Sequence, residues 1–161
     1  MSLLEVKNLS ISYGSEAPVV KNVSFSLEPG KILSIVGESG SGKTTVIRGI
    51  LGLLSGNGRI TDGKIFFDGQ DLCRLKKKTM QMLRGRDIAM IFQDAGLAMD
   101  PIFPIGKQFK EYIRTHQDLS DAEAYDLACE WLGRMKLDNP VRVMESYPFE
   151  LSGGIDRKSV V

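Results

Sequence analysis

Residues 37–44 read Gly-Glu-Ser-Gly-Ser-Gly-Lys-Thr, the spacing of a loop built to close around phosphate. Gly37, Gly40 and Gly42 let the backbone wrap tightly, so that successive N–H groups point inward at an anion. Glu38, Ser39 and Ser41 fill the positions between them and add their own N–H groups to the cradle. Lys43 brings a point charge to β- and γ-phosphates, Thr44 offers a hydroxyl to Mg²⁺, and Thr45 extends the cradle by one residue. A helix expected to start near Lys43 would add the positive end of its dipole.

That reading depends on what flanks the loop. Residues 31–37, "KILSIVG", are short and mostly apolar, the pattern of a buried strand. After the loop, Val46, Ile47, Ile50, Leu51 and Leu54 recur at helical spacing up to Gly56-Asn57-Gly58. Strand, loop and helix in that order separate a nucleotide site from a chance glycine-rich turn.

The rest of the chain falls into readable pieces. Residues 3–13 alternate loosely toward Gly14-Ser15, and residues 19–28 alternate clearly through Val23, Phe25 and Leu27 before Pro29-Gly30. Both predict strands. "KIFFDG" predicts another, closing at Asp68-Gly69, and "DIAMIFQD" (87–94) a second buried strand. From about Pro104 the pattern turns helical. Ser120 and Glu123 form a capping box, and Ala124, Leu127, Ala128, Trp131, Leu132 and Met135 then line one helix face. The expected fold is α/β: a P-loop core with an antiparallel β side-lobe and a helical insertion. The expected divisions are 1–94 for lobe and core, 95–150 for the helical part and 151–154 for a terminal loop.

Composition excludes several classes. The 161 residues carry a formal net charge of +1, so no general pull toward nucleic acid is expected. Lys76-Lys77-Lys78 is the one tight basic run and reads as a solvated loop. Cys73 and Cys129 form no C-x-x-C pair and suggest neither zinc nor a disulfide framework. The N-terminal residues lack the pattern of a secretory signal, and no apolar run approaches membrane-spanning length. His116, the single histidine, reads as a solvent-facing residue at a helix end.

A P-loop alone leaves many functions open. Tyr13 ends the first strand, Gln93 follows "IAMIF", and Leu151-Ser152-Gly153-Gly154 comes after the helical block. With these motifs in this order, residues 1–154 resemble the ATP-binding subunits of ABC transporters, whose signature is LSGG. The resemblance implies ATP and Mg²⁺ as ligands and a role for each matched position. Tyr13 corresponds to the aromatic residue that stacks on adenine. Gln93 corresponds to the glutamine that reaches Mg²⁺ and the attacking water. Ser152, Gly153 and Gly154 correspond to the loop that contacts the γ-phosphate held by a second ATP-binding subunit, in a head-to-tail dimer.

"LRGRDIAMIFQD" and "YPFELSGG" are similar to the peptide and nickel importer branch of that family. This implies transmembrane permease subunits and, indirectly, an extracytoplasmic solute-binding protein as partners, with the chain peripheral on the cytoplasmic face of the membrane. Two departures stand out. The family pattern after Gln93 has a proline where this chain has Ala95, which relaxes the loop's preset geometry. The segment "IDRKSVV" lacks the glutamine usual after the signature. A competing assignment takes Asp94 as a Walker B carboxylate, as in a smaller P-loop kinase; Gln93 before it and LSGG after it favour the first. The family's Walker B aspartate, catalytic glutamate and switch histidine find no candidate in these residues. The chain is therefore expected to be an incomplete ATP-binding domain, with Lys43 and Gln93 its catalytic residues and no hydrolysis by these residues alone.

Overall fold

Apolar alternation builds the first element. In a computed structural model that describes residues 2–14, 17–93 and 98–151, β1 (Leu4–Tyr13) buries Val6, Leu9 and Ile11. It is flanked by β2 (Val20–Leu27) and β3 (Gly58–Phe67), and β4 (Gln70–Asp71) completes an antiparallel sheet of order β2-β1-β3-β4. Between β3 and β4, Asp68 and Gly69 both take positive φ, 46° and 77°. That is the two-residue hairpin geometry that the Asp-Gly pair favours, because its twist matches that of the strands. The sheet, α1 (Lys43–Ile50) and α2 (Lys77–Leu83) belong to a unit ending at Arg84.

Helix α1 stops well before Gly56. Gly52 adopts φ 62° and donates to the Gly49 carbonyl, while Leu53 N–H donates to the Arg48 carbonyl. This pair of bonds is a Schellman motif, and a glycine in the left-handed region is what it asks for. The apolar spacing that ran on to Leu54 thus overstates the helix by about one turn. Val46 and Ile50 are buried as expected, whereas Ile47 is exposed.

Neither expected buried strand forms. Residues 31–38 have no strand hydrogen bonding, and Ile32 and Val36 are 96% and 87% exposed. Residues 89–93 are equally irregular, with Ile91 exposed. An apolar run becomes a strand only where neighbours accept its N–H and C=O groups. Among the described residues the extended ladders all belong to the antiparallel sheet, with only isolated bridge pairing at Arg84 and Ile88.

The second unit, from Gly85 on, is helical: α3 (Ile105–His116), α4 (Asp121–Arg134) and α5 (Pro140–Glu145). Ile105, Ala128, Leu132, Leu137, Val143 and Met144 form its core. Helices α3 and α5 meet closely at Gly106, where an added Cβ would lie 2.7 Å from the Met144 carbonyl oxygen. Trp131 departs from the expected face of α4: it is 52% exposed and carries the Arg134 guanidinium over its ring at 4.8 Å. Its bulk suits that cation–π contact, and the buried stripe is left to Ala124, Ala128 and Leu132.

The capping box on α4 is complete. Ser120 Oγ accepts from Glu123 N–H at 3.3 Å, and a Glu123 carboxylate oxygen accepts from Ser120 N–H at 2.8 Å. The Ser120 hydroxyl, which donates to a Glu123 carboxylate oxygen at 2.6 Å, and then the Ser120 N–H hold the Glu123 carboxyl below its ordinary range, and Lys110 does the same for Asp121. Both folded values are depressed, so this stabilisation is present above the unfolded titration near pH ~4 and is lost as pH falls through the folded values. Loss of a Ser N-cap costs roughly 1 kcal/mol. Ser120→Ala should therefore lower Tm at pH 7, and its gap to the parent should narrow below about pH 4. A gap unchanged between pH 7 and pH 3 in thermal circular dichroism would count against the box.

Candidate nucleotide site

The loop at 37–42 is shaped before any anion arrives. Lys43 Nζ donates to the Gly37 carbonyl at 2.8 Å and the Glu38 carbonyl at 2.6 Å, with Ser41 Oγ at 3.3 Å. The lysine thus folds back and holds the turn closed with its charge at the loop's centre. Gly40 and Gly42 sit at φ 80° and 90°, where a side chain is strained. At Gly37 the constraint is space: an added Cβ would lie 2.8 Å from Ser41 Oγ.

Helix α1 opens directly out of this turn. Its N-cap is Gly42, with no capping side chain and no acid in the first turn. Val46 N–H makes the first turn's bond, to the Gly42 carbonyl. The N–H groups of Lys43, Thr44 and Thr45 come before it and face the loop end without helical acceptors. Thr44 is exposed and Thr45 half-buried. Free N–H groups, a dipole end, one lysine and a hydroxyl make a donor set matched to a polyphosphate and its Mg²⁺. Lys43 and the cradle would hold the phosphates, and Thr44 would offer its oxygen to the metal.

Two close approaches fix where this helix points. An added Cβ at Gly49 would lie 2.8 Å from Ile11 Cδ1, and one at Gly42 would lie 3.1 Å from Val20 Cγ2. Ile11 and Val20 are paired across β1 and β2. Both ends of α1 therefore rest on one rung of the sheet. Sequence reasoning missed Ile11, Val20 and Gly49 as positioning residues; a glycine inside a helical pattern was the available signal.

Tyr13 lies two residues beyond Ile11 on the same strand face. It is half-buried, pairs with Gly58, and its Cε1 occupies the space an added Gly58 Cβ would need, at 2.7 Å. The ring is thus laid along β3 at the strand end by a missing side chain. Gln93 is exposed and belongs to the second unit. Leu151 is half-buried and packs on the helical core after a 3₁₀ turn (Pro148–Glu150) closed by the Tyr147 N–H bond to Glu150 at 2.7 Å. Ser152, Gly153, Gly154 and Asp94 lie outside the described residues.

His116 is not a simple solvent-facing residue. It ends α3 as expected, but its ring stands edge-on to Tyr112 at 5.1 Å and its Nδ1 is buried with no partner among the described residues. Tyr112 Oη donates to the Gly85 carbonyl at 3.1 Å, and an added Cβ at Gly85 would strike both rings. Packing against a bare glycine, invisible in sequence, draws the imidazole in.

A P-loop cradle beside an antiparallel sheet, followed by a helical unit, defines the ATP-binding cassette class, and comparison with known proteins agrees. Residues 20–161 match the model of the ABC transporter family, and the chain belongs to that family. Over 163 residues it is 38% identical to the dipeptide transport ATP-binding protein DppD of Lactococcus lactis subsp. cremoris, covering 99% of this chain and 47% of that protein. It is 39% identical to the oligopeptide transport ATP-binding protein OppD of Bacillus subtilis, covering 99% and 46%. The metal-staphylopine import system ATP-binding protein CntD of Staphylococcus aureus is 36% identical, with 100% and 59% covered. The chain spans about half the length of the curated relatives it matches. In fold it is similar to the dimeric bacterial ABC transporter cassette MJ0796, at a TM-score of 0.79 and 24% identity over 98% of this chain and 67% of that one. No helix among the described residues is long and apolar enough to cross a membrane.

The two inner glycines should respond differently to alanine. Gly40 has open space around its missing Cβ, so Gly40→Ala should cost only the left-handed strain, roughly 1–2 kcal/mol. Gly42→Ala adds a collision with Val20 and should lower the urea midpoint further. Equal midpoints for the two variants would show that the Gly42–Val20 contact does not position α1.

Proposed function

We propose that the chain is the nucleotide-binding part of a subunit that powers an ABC importer by binding and hydrolysing ATP. The observation that carries this reading is the closed loop at 37–42 with Lys43 at its centre and uncapped α1 N–H groups behind it. Names of the relatives add the solute class: dipeptides, oligopeptides and a metal chelate. Peptides are the best-supported cargo, and a nickel-type chelate is the second.

Each residue then has a task. Gly37 to Gly42 supply backbone donors, Lys43 gives up its loop carbonyls for β- and γ-phosphate oxygens, and Tyr13 offers its ring to adenine. Thr44 and Gln93 would hold Mg²⁺, which screens the phosphate charge when bound. Ser152, Gly153 and Gly154 would serve the nucleotide of a second subunit in a head-to-tail dimer. Permease subunits are the membrane partners, with a solute-binding protein beyond them and the chain on the cytoplasmic side.

Lys43→Ala should weaken MgATP binding by about 1.5–3 kcal/mol or more, the worth of a hydrogen bond to a charged group. Because Lys43 also closes the empty loop, loss of the side chain should leave ADP weakened as well. Equal ATP affinity for parent and variant in calorimetry would remove the nucleotide assignment.

The partner reading has its own measurement. A cysteine at Gln93, exposed in the second unit, should crosslink to a permease subunit in the intact complex. Crosslinks confined to residues 15–30 would show that the docking surface lies elsewhere.

A further inference from the structure

A second cavity, away from the phosphate loop, lies along the C-terminal turn of α1. Its volume is about 570 Å³, within the range of small-molecule pockets. Ile50, Ile60, Ile65, Leu72 and Met80 form its apolar lining, and all of these except Ile60 are less than a tenth exposed. Gly49 and Gly52 form the α1 side of the wall, and at Gly52 the absent side chain makes room for the Arg84 guanidinium, 3.0 Å from where a Cβ would lie.

The rim is cationic. Arg84 is rooted by its Nε bond to the Leu51 carbonyl at 2.7 Å and one terminal nitrogen's bond to the Gly52 carbonyl at 3.0 Å. Its other terminal nitrogen and the Lys77 ammonium have no partner among the described residues. Lys76 and Lys78 flank Lys77, at the start of a helix with no acid in its first turn. Among the described residues no carboxylate lines the cavity; the nearest to Cys73, Asp71, accepts from the Cys73 N–H at 3.0 Å and pairs with Arg74. Fixed positive charge over an apolar floor complements a molecule with an anionic head and an apolar body.

We infer that this cavity binds a single-chain anionic amphiphile of the medium-chain carboxylate class. Its chain lies over Ile50, Ile60 and Ile65, and its carboxylate meets Lys77 and Arg84. The inference is independent of the nucleotide reading, since it uses neither the loop nor its ligand.

Cys73 sits on the rim and reports occupancy, while Cys129, in the second unit, is an internal control. Alkylation of each thiol by iodoacetamide is followed by peptide mass in the full chain, with decanoate, octanoate or decanol added below their micelle limits. Decanoate should slow Cys73 at least tenfold and leave Cys129 unchanged. Half-protection should need roughly fourfold less ligand per added methylene, and Lys77→Gln should raise the decanoate concentration required severalfold. An unchanged Cys73 rate would overturn the inference, as would equal protection by decanol or protection indifferent to Lys77→Gln. Both thiols changing together would do so too, because that reports a global effect on the fold.

Discussion

Everything at the phosphate loop depends on how closely α1 rests on the sheet. A loop that presents N–H groups to an anion cannot hold itself by those same groups, so its rigidity has to come from elsewhere. Here it comes from two absent side chains. Gly42 and Gly49 let Val20 and Ile11 reach the helix backbone, one at each end, and those two residues are a cross-strand pair. A single rung of the sheet thereby sets both the position and the tilt of α1. Tyr13 is registered by the same strand two residues on, so the proposed adenine platform and the loop at 37–42 share one reference.

Lys43 shows how the empty cradle avoids collapse. Its ammonium is satisfied by the Gly37 and Glu38 carbonyls, a pairing in which the lysine stands in for the ligand's effect of ordering the loop. In the proposed function, exchange of those carbonyls for phosphate oxygens would swap neutral acceptors for charged ones, which make the stronger hydrogen bonds. Preorganisation lowers the ordering cost of binding.

Features carried by a few adjacent residues were legible in the sequence. The Asp68-Gly69 turn and the Ser120/Glu123 box each specify local backbone geometry, and each is found as read. Features that need a distant partner were not. "KILSIVG" has the composition of a buried strand, yet composition cannot supply the neighbour whose ladder makes it one, and Ile32 and Val36 stand exposed. Helix α1 ends at a Schellman motif because Gly52 takes φ 62°, while apolar spacing alone pointed on to Leu54. Trp131 and His116 were misplaced for one reason: a large ring settles where its edge or face finds a partner, and Arg134 and Tyr112 were not identifiable as partners from spacing.

The proposed site divides its labour unevenly between the two units. Phosphate capture is local, since the cradle, Lys43, Thr44 and the N–H groups of α1 all lie within residues 37–45 of the first unit. Gln93 belongs to the second unit and is carried on an irregular segment. Its neighbour in that unit is a helical core onto which Leu151 packs just before the signature. A nucleotide engaged by Lys43 alone can change affinity without reference to the second unit. In the proposed function, a nucleotide that also engages Gln93 gains a contact that capture by Lys43 alone does not give. On the proposed reading, Lys43 sets the strength of nucleotide capture, and Gln93 adds a contact carried by the second unit. On that reading the two contacts rest on different units, so substitutions at Lys43 and at Gln93 act independently.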